Sequence, residues 1–298
     1  MTGTSCRSVL PLLGILVCCG CTTIGDRATG SPGQAVPGSD ESAPLEHAER
    51  RLKPIVVSSF SQGDGLALGA MRVSTAAMLP IQPPERMLLI RPSLGLQLLD
   101  TPQATPSRLY SASVNMMWFE RLRDDLALTV AANPSVGGDE HEFGRRLRVF
   151  AMGAVGWDWI PDQLKLTAGA AWLGRRDIGV VPAAGLEWTP NDDWNVSLIL
   201  PRPKISRRVA GFDSSEVWIY GAGAIGGGTF DIRRPGGIVD EFSIRELQAT
   251  LGVELTDDQI GRGFCEVGFG FARELRFERG PEELEFGPGF LLRIGLTR

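Results

Sequence analysis

Histidine is almost missing from this chain: two of 298 residues, His47 and His141, carry an imidazole. A hydrolytic or transfer centre needs a nucleophile, a base and a group that orients the base. With so few neutral-pH bases, that chemistry has little to work with. Cysteine is scarce where it matters. Cys6, Cys18, Cys19 and Cys21 crowd the amino terminus and leave Cys265 alone in the body. One cysteine makes no internal disulfide, and no metal-ligand spacing occurs. On an apolar strand face, Cys265 is expected to pack as a small hydrophobe. Lysine is nearly absent too, with Lys53, Lys165 and Lys204 the only ones among thirty basic residues. The formal net charge of -5 argues against a nucleic-acid partner. The body also has no uncharged apolar run of the ~18 residues a spanning helix requires, which excludes a helical membrane protein. These absences predict a chain that is not an enzyme and carries no cofactor and no metal.

What is present is alternation. In Cys265-Glu266-Val267-Gly268-Phe269-Gly270-Phe271-Ala272 the odd positions are apolar and the even ones tiny or acidic, apart from the closing alanine. Successive side chains of a strand point to opposite faces, so such a segment has one oily and one polar surface. Leu164 to Trp172, Trp194 to Leu200, Leu247 to Leu255 and Phe290 to Leu296 repeat the pattern. In an exported chain this is the mark of a transmembrane β-barrel, apolar outside and polar within. The amino terminus reads as an export signal. Arg7 supplies a positive region, and Val9 to Cys19 is an apolar core too short to cross a bilayer. Gly20-Cys21 then resembles a lipoprotein processing site, so Cys21 is the candidate lipidation residue, with ordinary signal cleavage as the alternative. Residues 22–50, rich in Gly, Pro, Ser and Ala, read as a disordered tether. The organisation expected is a signal over 1–21, a tether over 22–50 and a barrel over 51–298.

Strands are predicted over Leu66 to Met78, Met87 to Leu99, Arg108 to Phe119 and Leu126 to Asn133. Next come Arg145 to Trp159, Leu164 to Trp172, Ile178 to Trp188 and Trp194 to Leu200. The last four are Glu216 to Ile232, Phe242 to Leu255, Gly263 to Phe277 and Glu285 to Thr297. That makes about 12 strands in a single antiparallel up-and-down barrel. The turns repeat as well. Trp157-Asp158-Trp159-Ile160-Pro161-Asp162 is echoed by Trp188-Thr189-Pro190-Asn191-Asp192-Asp193-Trp194, and more weakly by Leu255-Thr256-Asp257-Asp258. Pro and Asn or Asp suit tight turns, and Trp suits a membrane–water boundary. These turns are expected together at one rim, the periplasmic one. Pro134 to Gly144 and Glu278 to Glu283 are then outer loops.

Gly156-Trp157-Asp158-Trp159, Leu166-Thr167-Ala168-Gly169 and Pro182-Ala183-Ala184-Gly185-Leu186-Glu187-Trp188-Thr189-Pro190-Asn191 resemble segments of an uncharacterised bacterial family of outer-membrane β-barrels. Leu200-Pro201-Arg202-Pro203-Lys204, Gly226-Gly227-Gly228-Thr229-Phe230 and Phe271-Ala272-Arg273-Glu274-Leu275 extend the similarity. It covers roughly Leu66 to Leu296. The family is a domain of unknown function, so the resemblance implies a fold and a location and carries no catalytic residues. Such barrels generally end in an aromatic residue; Leu296-Thr297-Arg298 departs from that pattern.

Continuing the alternation assigns Arg148, Lys165, Glu187, Glu246, Glu254, Glu266, Glu274 and Arg293 to the inner face. Charges there need water or an opposite partner. They form either a ladder that selects solutes by charge in a narrow channel or structural ion pairs that close a small barrel. His141, within Asp139-Glu140-His141-Glu142, is the one candidate base in the body, and a solvated loop explains it more simply. Arg202, Lys204, Arg207 and Arg208 read as a basic cluster at a Pro-broken edge, with contact to lipid phosphate as the functional alternative. Gly221 to Gly228 has no helix after it, so it bends a strand and does not cradle a nucleotide. The sequence therefore predicts a non-enzymatic bacterial outer-membrane barrel, structural or a narrow channel for small solutes. Its partners would be outer-membrane lipid and the barrel-insertion machinery. The alternative is a periplasmic lipid-anchored soluble β-barrel that binds a small ligand.

Overall fold

The computed structural model describes residues 54–82, 85–101, 105–172, 179–212, 214–257, 261–279 and 283–297. The signal, the tether and Cys21 lie outside the described residues. All regular structure is strand. The first eight are β1 (Pro54–Gly63), β2 (Leu66–Thr75), β3 (Ala77–Gln82), β4 (Arg86–Asp100), β5 (Arg108–Arg123), β6 (Leu126–Gly138), β7 (Arg148–Ile160) and β8 (Leu164–Trp172). The remainder are β9 (Val180–Asn191), β10 (Trp194–Ser197), β11 (Lys204–Phe212), β12 (Ser215–Arg233), β13 (Val239–Asp257), β14 (Gly261–Phe277), β15 (Glu283–Phe286) and β16 (Gly289–Thr297). β2 and β3 both pair with β4, and β15 and β16 both pair with β14, so each couple is one interrupted stave. Each stave is antiparallel to the next, and β1 pairs with β16 from Ile55↔Thr297 to Gln62↔Phe290. The sheet therefore closes into an antiparallel barrel of fourteen staves.

The single antiparallel barrel expected from the alternation is the observed fold, with fourteen staves where about twelve were predicted. The two extra staves are β1 and β11. β1 reads Ile-Val-Val-Ser-Ser-Phe-Ser, too mixed for a clean period of two. β11 is the segment taken for a Pro-broken basic edge, and it is an interior stave paired on both sides. The echoed turns do share one end: 161–163 and 192–193 lie there with 124–125, and β13 ends there at Asp257 where β14 begins at Gly261. Apart from the tight 64–65 turn, the opposite end carries, among the described residues, the longer connections 139–147, 198–203 and 234–238.

At the long-loop end the barrel narrows. Gly227 has φ +111°, and a β-carbon there would clash with the Ile244 carbonyl oxygen, so glycine lets the β12–β13 hairpin bend. Beyond that bend β12 reaches β6, where Asp231 pairs with Gly138 in parallel and the Asp139 N–H donates to the Asp231 carbonyl at 3.0 Å. Staves β7 to β11 stop beneath this crossing. Inside the narrowed ring Leu66, Leu99, Leu109, Phe230, Ile232, Phe242, Ile244, Leu275 and Phe277 form a buried apolar cork. Burial of such side chains contributes about 1.5–3 kcal/mol each.

The 139–147 loop is latched to the cork hairpin. Asp139 Oδ2 accepts the Arg233 N–H at 2.8 Å, and its Oδ1 accepts the N–H groups of His141 and Glu142. Glu142 takes Arg233 at 2.5 Å and Arg145 at 2.8 Å, while Arg148 bridges buried Asp231 and Glu241. The guanidinium groups of Arg233 and Arg145 hold the Glu142 carboxyl below its ordinary 4.5. A carboxyl depressed on folding adds stability above its unfolded value and loses it as pH falls through the folded one. Glu142→Gln should therefore lower the thermal midpoint at pH 6. That gap should close progressively below pH 4.5. A gap independent of pH would show that the latch is not ionic.

Candidate lumen site

Two neighbouring strands share each face through their register, so the pairings define an inside and an outside. The interior holds a chain of ion pairs contributed by β11, β13, β14, β16 and the 198–203 connection, with hydrogen bonds from β1 and β12. Arg273, 1% exposed, donates to Glu246 at 3.1 Å and to the carbonyls of Gly63 and Leu66 at 2.9 and 3.1 Å. Glu246 also accepts Ser61 and Gln248. Gln248 accepts Arg293, which donates to Glu266 at 2.7 Å. Glu266 is shared with Arg202 at 2.7 Å and with the Tyr220 hydroxyl at 3.0 Å. Lys204 lies 3.9 Å from the centre of the Tyr220 ring and bonds Glu254 at 2.9 Å, and Glu254 also takes Arg262. Five bases thus share three carboxylates.

Of the residues assigned to the inner face, Glu246, Glu254, Glu266 and Arg293 meet in this one network. Lys165 and Glu187 face inward across β8 and β9 as direct partners, with Lys165 also 3.5 Å from Asp158. Arg148 faces the cork at the long-loop end. Glu274 is a correction. It pairs with Arg245 on the outer face, at 3.8 Å. Ala272, with φ +48°, inserts one residue opposite Glu246 and reverses the parity of β14, so Arg273 turns inward in place of Glu274. No pattern in the sequence marks that bulge. The basic cluster is corrected too: Arg202 and Lys204 point into the barrel, while Arg208 binds Asp193 and Glu216 at the short-turn rim. Only Arg207 faces outward, over the Trp194 ring at 5.4 Å. His141 is exposed in its loop, and Asp139 beside it is committed to backbone N–H groups. Cys265 is exposed on the outer face.

The opposite side of the interior is mixed: inward Arg91, Asn115, Thr129, Lys165 and Thr167 stand beside an apolar patch. Leu89, Met117, Phe119, Ala127, Ala131, Met152, Ala154 and Ala171 from β4 to β8 form a buried cluster that Ile199 joins. Ile199 belongs to the 198–203 connection, which turns into the barrel because β10 is only four residues long. Gly185 makes room for it, since a β-carbon there would lie 2.6 Å from Ile199 Cγ1. Three residues on, Arg202 reaches the ionic wall. Above this connection, among the described residues, β9 has no strand partner from Val180 to Gly185 on the β10 side. β12 likewise has none between Gly223 and Phe230 on the β11 side.

An outer membrane channel from Pseudomonas putida F1 aligns over 89% of this chain and 100% of its own, with TM-score 0.38 and 11% identity. The β domain of the Bordetella autotransporter Brka aligns over 83% of this chain and 99% of its own, with TM-score 0.35 and 10% identity. A bacterial polysaccharide outer membrane secretin gives 83%, 98%, 0.35 and 10%. These are likenesses of barrel form alone. No family model and no curated protein matches the chain.

Arg273 is the side chain on which the network turns. Removing it leaves Glu246, 3% exposed, without its only ionic partner among the described residues. Arg273→Met should cost about 3–5 kcal/mol in urea-dependent refolding, because an uncompensated charge stays buried. Adding Glu246→Leu should recover much of that loss. Independent, additive losses would mean the pair is not coupled.

Proposed function

We propose that this chain is a bacterial outer-membrane β-barrel that forms a narrow, gated passage for small solutes and has no catalytic centre. The observation that carries the reading is the inverted distribution of polarity. Leu251 is 70% exposed and Phe269 60%, and Phe290 stacks edge-on to Phe269 at 6.3 Å. Leu98, Val130, Ile219, Phe271, Ile294 and Leu296 continue the apolar surface around the barrel. Water does not tolerate so large a contiguous patch on a monomer. That weighs against the soluble, lipid-anchored alternative. On β13 the outward apolar run from Leu247 to Leu255 is bounded by Arg245 and Asp257. At ~3.3 Å per residue and a tilt near 40–45°, it rises roughly 19–20 Å, most of the ~25 Å of an outer-membrane apolar band. Trp157, Trp159, Trp188 and Trp194, all exposed, cluster on β7, β9 and β10 at the short-turn end, where interfacial aromatic residues belong.

On this reading the short turns face the periplasm and the long loops face outward. Lipid and the barrel-insertion machinery are the partners. The cork and the 198–203 connection make this a closed form. The Arg202–Glu266 contact holds that connection across the lumen, so loosening it should favour opening.

Replacing outward Phe269 by Arg should cost about 2–4 kcal/mol on refolding into vesicles, and inward Thr250→Asn far less. Equal costs at the two parities would sink the membrane assignment. Planar-bilayer recording tests the passage. Rare, small conductance steps are expected for the native chain and more frequent ones for Arg202→Gln and Glu266→Gln. Silence in all three would leave a purely structural barrel.

A further inference from the structure

We infer that the barrel interior seats a small organic anion with an apolar body. The inference deepens the passage reading and rests on it only in taking the interior as the working surface.

The charge balance of the ionic wall is opposite to that of the chain. The formal net charge overall is -5. In the ionic wall, Arg202, Lys204, Arg262, Arg273 and Arg293 face Glu246, Glu254 and Glu266, an excess of two positive charges. Across the lumen, Arg72 and Arg91 also face inward, from β2 and β4. Every carboxylate of the wall is already bridged by at least one base, and Glu254 and Glu266 by two. A fourth carboxylate group entering beside them meets cations that folding has already desolvated, which makes ionic recognition cheap there.

The facing wall carries, beside polar Arg91, Asn115 and Thr129, an apolar patch that an ordinary aqueous lumen lacks. Leu89, Met117 and Met152 are buried in it, and methionine adapts to ligands of differing shape. A ligand lying between the two walls must have an apolar body and one negative group. The protein supplies its own gauge for the size. The 198–203 connection puts Ile199 in the apolar patch and Arg202 on Glu266, so the two walls are joined by a span of three residues, about 10 Å at full extension. Ile199 occupies the apolar seat in this closed form.

Isothermal titration of the full chain in lipid nanodiscs, with empty discs subtracted, tests the inference. The probes are hexanoate, hexan-1-ol, acetate and hexyltrimethylammonium. Saturable binding of hexanoate is expected. The alcohol and acetate should bind at least roughly tenfold more weakly, and the ammonium probe should not bind. Arg293→Gln should weaken hexanoate by about tenfold. Because that variant could simply misfold, Ile199→Ala supplies the opposite arm: vacating the seat should tighten hexanoate binding, which a misfolded barrel cannot do. Hexanol binding as well as hexanoate, acetate binding as well as hexanoate, or no hexanoate binding in both the native chain and Ile199→Ala would each overturn the inference. Bilayer recording separates this from the passage reading. Conductance without hexanoate binding leaves the passage and removes the ligand class, and hexanoate binding in a silent barrel does the reverse.

Discussion

Closure of the backbone hydrogen-bond ladder is the constraint on which the rest depends. In an apolar surround no water is available to satisfy a free strand edge, so a sheet has to close upon itself. Here the closing seam is β1 against β16, running through eight register pairs. Once that seam forms, every alternating strand has an inside and an outside. The choice is not free, since buried Arg273 and Glu266 are neutralised by Glu246 and Arg293 on the neighbouring staves β13 and β16 only if all four face inward.

The same closure explains the unusual interior. A ring of fourteen staves encloses more space than side chains from its own wall can fill, and three segments turn inward. The β12–β13 hairpin bends at Gly227 and corks the long-loop end with aromatic and aliphatic side chains. The 198–203 connection lays Ile199 on the apolar patch and Arg202 on the ionic wall. The 139–147 loop closes over the cork through Asp139 and Glu142. The separation of an apolar patch from the ionic wall follows from which staves carry which residues.

Much of this was legible in the chain. β8 begins and ends where its alternation does, at Leu164 and Trp172, and the Trp-flanked turns mark one rim. The inward assignments of Glu246, Glu254, Glu266 and Arg293 need only a period of two and an apolar outside. Legibility fails where the period is interrupted. β1 mixes Ser into both faces, and β11 places bases on both, Lys204 and Arg208 inward and Arg207 outward, so neither looks like a half-buried strand. The Ala272 bulge moves Glu274 out and Arg273 in, and an inserted residue has no signature in a segment where small residues recur.

The sequence by itself determined the strand faces, the tight turns, the shortage of catalytic groups and the class of fold. Each of these depends on residues near one another along the chain. Tertiary structure alone decided the stave count, the cork and the pairing of side chains within the lumen. Arg202 meets Glu266 from 64 positions away, Ser61 meets Glu246 from 185, and Arg273 reaches the Leu66 carbonyl from 207. Such partners are set by register and closure around the whole ring, and a one-residue shift in any stave would send those side chains to the opposite face.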